Sequence, residues 1–334
     1  MIGVFSISNM EETTNRVIEW IHHFGGDYVR FNGQEISELT LVLRENDPRA
    51  MSYLQKGDLQ IPTRDIGAVW YRRTSVPNLP QFQDLEEGPL YLQMNAHMNA
   101  EMDAVKNAIY ASLEHAYWLS RPGESSPNKL GMLAQARSLG IDVPCTLITN
   151  DREELLDFED RVGDIIVKPV GDMRIFSSGN HLAGQFTSIV NRKEIEAYPS
   201  HFFPIQAQQC IEKQYEIRTF FLEGVCYSMA ILSQQDKQTQ LDFRVYNYEK
   251  PNRTLPYNIG PDMEEKVRHL MKAYNLDTGS IDFMVGLDGK HYFLEINPVG
   301  QFGMTSIPCN YQLEKRVAQL LIEKDHLYCE SRAI

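Results

Sequence analysis

Asp282, Glu295 and Asn297 carry oxygen atoms that together could bind a divalent cation. They lie in two runs of alternating polar and apolar residues joined by Asp288-Gly289, a strong signal for a β-hairpin. Side chains alternate with period two along a strand, so Glu295 and Asn297 share one face. These three residues offer only oxygen ligands, and too few of them to complete an octahedron. Such a set suits Mg²⁺, whose remaining coordination positions are taken by water and nucleotide phosphates. The hairpin therefore predicts a magnesium site.

The length of the hairpin loop decides which residues face each other. If Asp288-Gly289 is a two-residue loop, Leu287 pairs with Lys290 and Asp282 lies directly opposite Glu295. Facing carboxylates repel, which a purely structural sheet avoids, and a divalent cation removes that repulsion. Two alternatives remain open: the carboxylates lie on a solvated face, or a three-residue loop with a bulge breaks the register.

Nucleotide phosphates need counter-charges, yet neither G-x-x-x-x-G-K-[ST] nor G-x-G-x-x-G occurs in the sequence. Lys168 follows a predicted buried strand, and Lys129 stands at the start of a predicted helix. Each lysine could therefore point a fixed cation into a cleft. The alternative for either one is a solvated surface amine.

The segment from Gln208 to Arg218 reads as a linker that runs into a strand, with Glu216 and Arg218 on one face. Such a connection can offer backbone groups to an adenine edge, while a carboxylate holds ribose hydroxyls. Arg218 and Arg244 are candidates for contacting a transferred phosphate, because planar donors stabilise the charge that develops. The alternative is that the arginines form ion pairs with Glu216 and Asp242.

Alternating strands and helices are predicted around these residues. The sequence opens with a β-α-β unit, and Asn128 caps a helix that ends at Gly140. The predicted strands cover residues 2–7, 28–31, 66–71, 143–148, 165–169, 186–190, 217–222, 225–233, 281–285 and 292–296. The other predicted helices cover residues 13–24, 91–119, 262–274 and 311–324. Breaks near residues 122 and 204 predict an N-terminal domain over 1–122, a central domain over 123–204 and a C-terminal domain over 205–334.

Composition excludes several classes of protein. With 32 Lys and Arg against 45 Asp and Glu, the net charge is −13, which disfavours nucleic acid and anionic membranes as partners. Five scattered cysteines without a C-x-x-C motif predict neither a disulfide framework nor a thiolate zinc site. No signal peptide or membrane-spanning run is predicted, so we expect a cytoplasmic protein with reduced thiols. A homodimer is compatible with the sequence.

Several of these motifs, in their order along the chain, resemble the ATP-grasp fold. They are Asn128-Lys129, Val167-Lys168-Pro169, Gln208-Gln209-Cys210-Ile211, Glu216-Ile217-Arg218, Asp282 and Leu294-Glu295-Ile296-Asn297-Pro298. The resemblance implies a mixed α/β and α+β architecture, in which a Rossmann-like front domain precedes two α+β domains that hold ATP between them.

Other segments are similar to the peptide maturases of grasp-with-SPASM systems, which are relatives of the graspetide synthetases and microviridin ligases. They are Trp70–Arg73, Ser228–Gln235, Asp242–Arg244, Lys250–Arg253 and Asn297–Met304. The similarity implies an ATP-dependent enzyme that acts on a ribosomally made precursor peptide with a leader and a core. It would join Asp or Glu to Ser, Thr or Lys side chains by ω-ester or ω-amide bonds, through an acyl phosphate.

The resemblance also implies roles for individual residues. Lys129 and Lys168 would contact the ATP phosphates, Gln209 and the Ile211 backbone the adenine, and Glu216 the ribose. Asp282, Glu295 and Asn297 would be the Mg²⁺ ligands. Arg218 and Arg244 would contact the γ-phosphate and the acyl phosphate, and Asp242 would orient the core peptide. Gln209 departs from the pattern, because many ATP-grasp enzymes have Glu there. The loop over residues 171–184 is less glycine-rich than the usual phosphate lid.

Two other functions fit the same residues. An ATP-grasp ligase that joins free amino acids to one another or to a protein terminus would share the nucleotide site and differ in the acceptor pocket. A non-catalytic peptide-binding protein could keep the fold without turnover. The complete set of lysines and metal ligands argues against the second, because a binding module does not need it.

Overall fold

The computed structural model describes residues 1–9, 11–33, 40–42, 52–73, 88–171, 175–178, 181–184, 187–235 and 251–332. Asp242 and Arg244, two of the predicted site residues, lie outside these ranges. The chain divides into two compact units. Unit 1 comprises Met1–Ser125, Leu276–Thr278 and Pro298–Ile334, and unit 2 comprises Ser126–Asn275 and Gly279–Asn297.

Unit 1 contains a four-stranded parallel sheet. Its strands are β1 (Ile2–Ser6), β2 (Tyr28–Asn32), β6 (Ala68–Tyr71) and β7 (Tyr117–Leu119), in the order β2-β1-β6-β7. A second, antiparallel sheet consists of β3 (Thr40–Val42), β4 (Tyr53–Lys56) and β5 (Leu59–Pro62). The helices are α1 (Glu12–His23), α2 (Pro89–Ala111), α7 (Gly303–Cys309) and α8 (Leu313–Ser331). The predicted β-α-β opening is confirmed by β1, α1 and β2.

The helix predicted over residues 91–119 is wrong at its C-terminal end, because α2 stops at Ala111. Residues 117–119 form β7 instead, which runs parallel to β6. Leu113 and Trp118 are both buried in the core of unit 1, and the Trp118 indole Nε1 donates a hydrogen bond to the Leu113 carbonyl at 2.9 Å. The helical pattern is local, whereas pairing with β6 depends on residues almost fifty positions away.

The last thirty-seven residues belong to unit 1, whereas the predicted C-terminal domain over 205–334 contains them together with the hairpin. Helix α8 packs against α1, and the Lys315 ammonium lies 5.4 Å from the centre of the Trp20 ring. The apolar face of α8 is buried, including Val317 and Leu321. The division of the chain into three domains at residues 122 and 204 stays a prediction.

Unit 2 contains two antiparallel sheets. The first has the strands β8 (Thr146–Asp151), β9 (Ile165–Lys168), β12 (Ser188–Val190) and β13 (His201–Gln209), in the order β12-β9-β13-β8. A separate hairpin consists of β10 (Ile175–Ser178) and β11 (His181–Gly184). The second sheet has the strands β14 (Lys213–Leu222), β15 (Val225–Leu232), β16 (Arg253–Tyr257), β17 (Thr278–Gly286) and β18 (His291–Asn297), in the order β16-β15-β14-β17-β18. The helices are α3 (Lys129–Ser138), α4 (Arg152–Val162), α5 (Arg192–Glu196) and α6 (Pro261–Ala273).

Helix capping in unit 2 follows side chains that can be recognised in the sequence. The predicted cap is confirmed, because Asn128 Oδ1 accepts hydrogen bonds from the backbone N–H groups of Leu130 and Gly131. Asp151 Oδ1 caps α4 in the same way, a helix that the sequence analysis missed. The predicted linker from Gln208 is also corrected, since β13 extends through Gln209 and only residues 210–212 connect it to β14.

The hairpin of β17 and β18 has a three-residue loop, so the predicted pairing of Leu287 with Lys290 is wrong. Gly286 faces Lys290 instead, and its N–H donates to the Lys290 carbonyl at 3.0 Å. Gly289 closes the turn with a φ of 79° and donates to the Gly286 carbonyl at 2.9 Å. A turn of this kind favours glycine, because a Cβ would clash with its own backbone at positive φ.

A bulge in β18 restores the predicted register at Asp282 and Glu295. Phe283 pairs with Phe293, and the next pair is Asp282 with Glu295, so Leu294 is the extra residue. The three-residue loop shifts the register by one residue and the bulge shifts it back. The prediction that Asp282 lies directly opposite Glu295 is therefore confirmed, although the assumed loop is not.

We predict that Gly289→Ala destabilises unit 2 by about 1–2 kcal/mol, because an L side chain at this φ is strained although the space is open. The matched control is Gly131→Ala inside α3, where the backbone is helical and alanine should leave stability unchanged or slightly raised. Urea unfolding followed by circular dichroism compares the two. Equal losses in both variants would contradict the strain argument.

Candidate functional site

Asp282, Glu295 and Asn297 converge on one face of the β17–β18 hairpin. Asp282 is 5% exposed and lies directly opposite Glu295. The Asn297 amide Nδ2 lies 3.4 Å from Asp282 Oδ2 and 3.3 Å from Glu295 Oε1. One amide group therefore contacts both carboxylates, and the alternative of a solvated face is excluded for Asp282.

Two cations balance the two carboxylates. Arg218 extends from β14, the neighbour of β17, and its Nη1 lies 3.2 and 3.3 Å from the oxygens of Asp282. Lys129 lies in the first turn of α3, which packs on β18, and its Nζ is 3.3 Å from Glu295 Oε2. Arg218 on β14 therefore forms an ion pair with Asp282 on the neighbouring strand β17.

The donor set fits Mg²⁺. All its candidate atoms are oxygens, because a turn of the Asn297 carboxamide about its own axis would present Oδ1 where Nδ2 now lies. Among the described residues no group of three His, Cys, Asp or Glu side chains forms a metal site, so a cation here would rely on this mixed set and on further ligands. Ser280 Oγ, buried opposite Asn297, and Arg218 Nε have no hydrogen-bond partner in the described part of the chain. Buried polar atoms of this kind are suited to a site that takes up a polar ligand.

Glu216 forms a buried ion pair that the sequence analysis missed. Its Oε1 contacts the ammonium of Lys213, and both side chains are almost fully buried. Residues three apart on a regular strand point to opposite faces, so the spacing gave no signal for this pair. Glu216 and Arg218 lie two residues apart on β14, as predicted for one face. The role of Glu216 toward ribose stays a prediction.

Lys168 lies on the first sheet of unit 2, where its Nζ donates to Gln208 Oε1 at 2.9 Å. Gln208 in turn donates to Thr146 Oγ1, also at 2.9 Å, so a chain of polar side chains crosses three strands. The predicted adenine contact is the neighbouring residue, Gln209. The Gln209 backbone N–H is engaged with the Cys145 carbonyl, and its role at the adenine stays a prediction.

Apart from Glu216, the predicted site residues that the structure describes fall into two groups. Direct contacts bring together Lys129, Arg218, Asp282, Glu295 and Asn297. Lys168 and Gln209 end their strands in the first sheet, and Ile211 lies in the short connection from that sheet to β14. The first group can hold a cation and a phosphate-bearing ligand, because it combines oxygen donors with two fixed positive charges.

The N-terminal part of the chain matches a family model, since residues 1–125 fit the MvdD pre-ATP grasp domain. No curated protein matches the sequence. No helix among the described residues is both long and apolar enough to cross a membrane.

Solved structures match nearly the whole chain. Macrocyclase MdnC from Microcystis aeruginosa MRC, solved with precursor peptide MdnA, is 26% identical with a TM-score of 0.81, covering 97% of this chain and 99% of MdnC. A RiPP-associated ATP-grasp ligase from Chryseobacterium gregarium, solved with ADP and a leader and core peptide, is 25% identical with a TM-score of 0.81 and coverages of 99% and 97%. ATP-grasp ligase PsnB, solved with minimal precursor, Mg and ADP, is 21% identical with a TM-score of 0.72 and coverages of 97% and 97%.

These matches confirm the predicted ATP-grasp fold with its mixture of helices and several sheets. The family match covers residues 1–125, and the structural matches cover nearly the whole length of the chain. The chain thus has the ATP-grasp fold and is similar over nearly its whole length to these RiPP macrocyclases and ligases.

Proposed function

We propose that this protein is an ADP-forming, ATP-dependent ligase that macrocyclises a ribosomally made precursor peptide. It forms ω-ester or ω-amide bonds between Asp or Glu and Ser, Thr or Lys side chains. The observation that carries the proposal is the Asp282, Glu295 and Asn297 set, held between Arg218 and Lys129 in a chain whose fold matches such enzymes. The grasp-with-SPASM subtype is proposed from the sequence resemblance alone.

The nucleotide site uses both sheets of unit 2. Lys129 and Lys168 neutralise ATP phosphates, Gln209 and the Ile211 backbone contact adenine, and Glu216 contacts ribose. Asp282, Glu295 and Asn297 would hold Mg²⁺, which would supply positive charge to the phosphates. Lys129 now pairs with Glu295, so phosphate binding requires it to share or exchange that partner.

The proposed reaction has to activate a carboxylate, which is a poor electrophile. A carboxylate reacts slowly with a hydroxyl or an amine, because its oxygen is a poor leaving group. Phosphoryl transfer from ATP to a core Asp or Glu gives an acyl phosphate, and a side chain of the same peptide then displaces the phosphate. Holding both side chains in one cleft can lower the barrier by about 7–11 kcal/mol.

Arginines stabilise the charge that develops on the transferred phosphate. The Arg218 guanidinium is held by Asp282, so it is oriented before the ligand arrives. We assign Arg244 to the γ-phosphate and acyl phosphate together with Arg218. Asp242 is proposed to orient the core peptide.

The side chains of the core peptide vary, so the enzyme cannot bind the precursor through its reacting residues alone. Another segment of the peptide must supply affinity. A leader segment bound away from the phosphates supplies that affinity. Strand addition to the first sheet of unit 2 is one way to bind it, because β8 and β12 are its edge strands in the described part of the chain. We further propose a cytoplasmic protein, compatible with a homodimer, that has neither nucleic acid nor a membrane as partner.

An ATP-grasp ligase that joins free amino acids remains the second candidate. It would use the same lysines, arginine and metal ligands, and only the acceptor pocket would differ. A non-catalytic peptide-binding protein is the third, although the convergent charges of the site argue against it. Turnover with free amino acids, or none with any substrate, distinguishes these candidates from peptide macrocyclisation.

We predict that Glu295→Gln lowers ADP release by about 10-fold or more, because it keeps the shape and removes a charge from the metal site. The matched control is Glu265→Gln on α6, whose side chain is 57% exposed and should change the rate by less than about twofold. Steady-state rates at saturating ATP and Mg²⁺ compare the two. Small, equal effects would mean that the hairpin holds no magnesium.

Lys168→Met should reduce ATP-dependent turnover to background while the fold persists, because methionine replaces the stem volume and removes the ammonium. Lys193→Met is the matched control, since Lys193 is exposed on α5. Circular dichroism checks the fold, and ADP release reports turnover. Full activity of Lys168→Met would remove this lysine from the phosphate site.

The complete precursor should lose one water for each bond formed, with one ADP and one phosphate released per loss. The core without its leader should react much more slowly, and leader supplied separately should restore the rate. Intact mass and ADP release, measured on the same samples, check both statements. ATP consumption stimulated by free amino acids, without loss of water from any peptide, would favour the free-amino-acid ligase.

A further inference from the structure

A series of hydrogen bonds on the first sheet of unit 2 ends at the ammonium of Lys168. The Thr146 hydroxyl donates to the backbone carbonyl of Pro144 at 2.9 Å. Gln208 Nε2 donates to Thr146 Oγ1 at 2.9 Å, and Lys168 Nζ donates to Gln208 Oε1, also at 2.9 Å. The strands β8, β13 and β9 therefore each contribute one side chain to the same series.

The direction of each bond in this series is set by its first member. A backbone carbonyl can only accept, so the single hydroxyl proton of Thr146 is used toward Pro144. The Thr146 oxygen is then an acceptor, and it takes the hydrogen bond from the side-chain NH2 group of Gln208. The side-chain carbonyl of Gln208 is thereby turned toward Lys168, whose ammonium can only donate. A flipped amide would bring two donors together at Lys168, so the hydrogen bonds select one orientation of Gln208.

Gln208 is a buried polar residue on the sheet face that points away from the apolar core. Thr146 lies directly opposite it on β8, and the neighbouring Ala207 points to the other face, into the core that α4 and α5 cover. Gln208 is 1% exposed, and burying a polar side chain costs free energy unless its hydrogen bonds are made. An apolar residue of similar volume would avoid this requirement, so stability alone is a weak reason for a glutamine here.

We propose that Gln208 is a positioning residue for Lys168: its side-chain carbonyl, oriented by Thr146, holds the ammonium in place for the nucleotide phosphates. The inference rests on the proposed nucleotide site, and Gln208 itself contacts no nucleotide in this scheme. An ammonium has three N–H donors, so Lys168 can keep Gln208 as a partner while it contacts a phosphate. A long side chain that is already held loses less conformational entropy when the ligand binds. Loss of Gln208 should therefore weaken nucleotide binding.

The test measures nucleotide affinity rather than turnover. ADP is titrated into the full-length protein in the presence of EDTA, so that the proposed metal site does not contribute, and calorimetry gives the Kd for ADP. Gln208→Met keeps the length of the side chain and removes both of its hydrogen bonds. This variant should raise the Kd for ADP by about 10-fold, the scale of one hydrogen bond to a charged group. Circular dichroism checks that the fold persists.

Thr146 provides a second variant that tests the role of orientation, even if Gln208→Met is unstable. Thr146→Val keeps the shape and removes the acceptor for Gln208, so the Kd for ADP should rise by about threefold, whereas Thr146→Ser keeps the hydroxyl and should restore the original Kd.

The matched control is Thr149→Val on the same strand. Thr149 lies three residues along β8 and therefore points to the opposite face, where its hydroxyl accepts a hydrogen bond from the Asp151 N–H. The control should lower thermal stability without changing the Kd for ADP. An equal rise in Thr146→Val and Thr149→Val would show that these hydroxyls act only through stability and would overturn the inference.

Lys168→Met separates failure of this inference from failure of the proposed nucleotide site. In a Lys168→Met background, Gln208→Met should add little, because the group that it positions is gone. If Lys168→Met raises the Kd for ADP and neither Gln208→Met nor Thr146→Val does, the positioning role is wrong while the phosphate contact of Lys168 stands. If Lys168→Met leaves the Kd unchanged, that phosphate contact is wrong, and the role of Gln208 is wrong with it.

Discussion

The repulsion between Asp282 and Glu295 is the constraint on which the candidate site depends. Two carboxylates opposite each other on paired strands, one of them buried, destabilise a sheet unless positive charge or a cation compensates. In the structure, Arg218 and Lys129 provide that charge from two different elements, β14 and α3. The second sheet and the helix that packs on it are therefore tied together by electrostatics as well as by packing.

That constraint is maintained through two backbone irregularities whose effects cancel. The loop closed by Gly289 adds one residue to the turn, and the bulge at Leu294 adds one residue to β18. Without the bulge, Asp282 would face Leu294 and the carboxylates would no longer meet. Because a one-residue slip sends side chains to the opposite face, the bulge also lets Phe293 and Ile296 both point into the core.

Local patterns in the sequence predicted a large part of this arrangement. The cap at Asn128, the hairpin and the facing of Asp282 and Glu295 all depend on residues close together in the chain, where periodicity and turn chemistry are informative. The end of α2 and the pairing of Arg218 with Asp282 depend on residues far apart in sequence. Such contacts are set by packing, so a single sequence carries little signal for them. The predicted two-residue loop is one residue too short, and the carboxylates face each other nevertheless, because the bulge at Leu294, for which the sequence has no local signal, compensates.

The pairing of two carboxylates with two cations affects the order in which metal and nucleotide bind. Asp282 and Glu295 carry two negative charges, and Arg218 and Lys129 carry two positive ones, so the four side chains sum to zero. A free divalent ion approaching this neutral group gains little Coulomb attraction, whereas a nucleotide brings phosphate charge that can draw Lys129 away from Glu295. Metal and nucleotide should then enter as one complex, and the lysine would act as a counter-ion that is handed from protein to ligand.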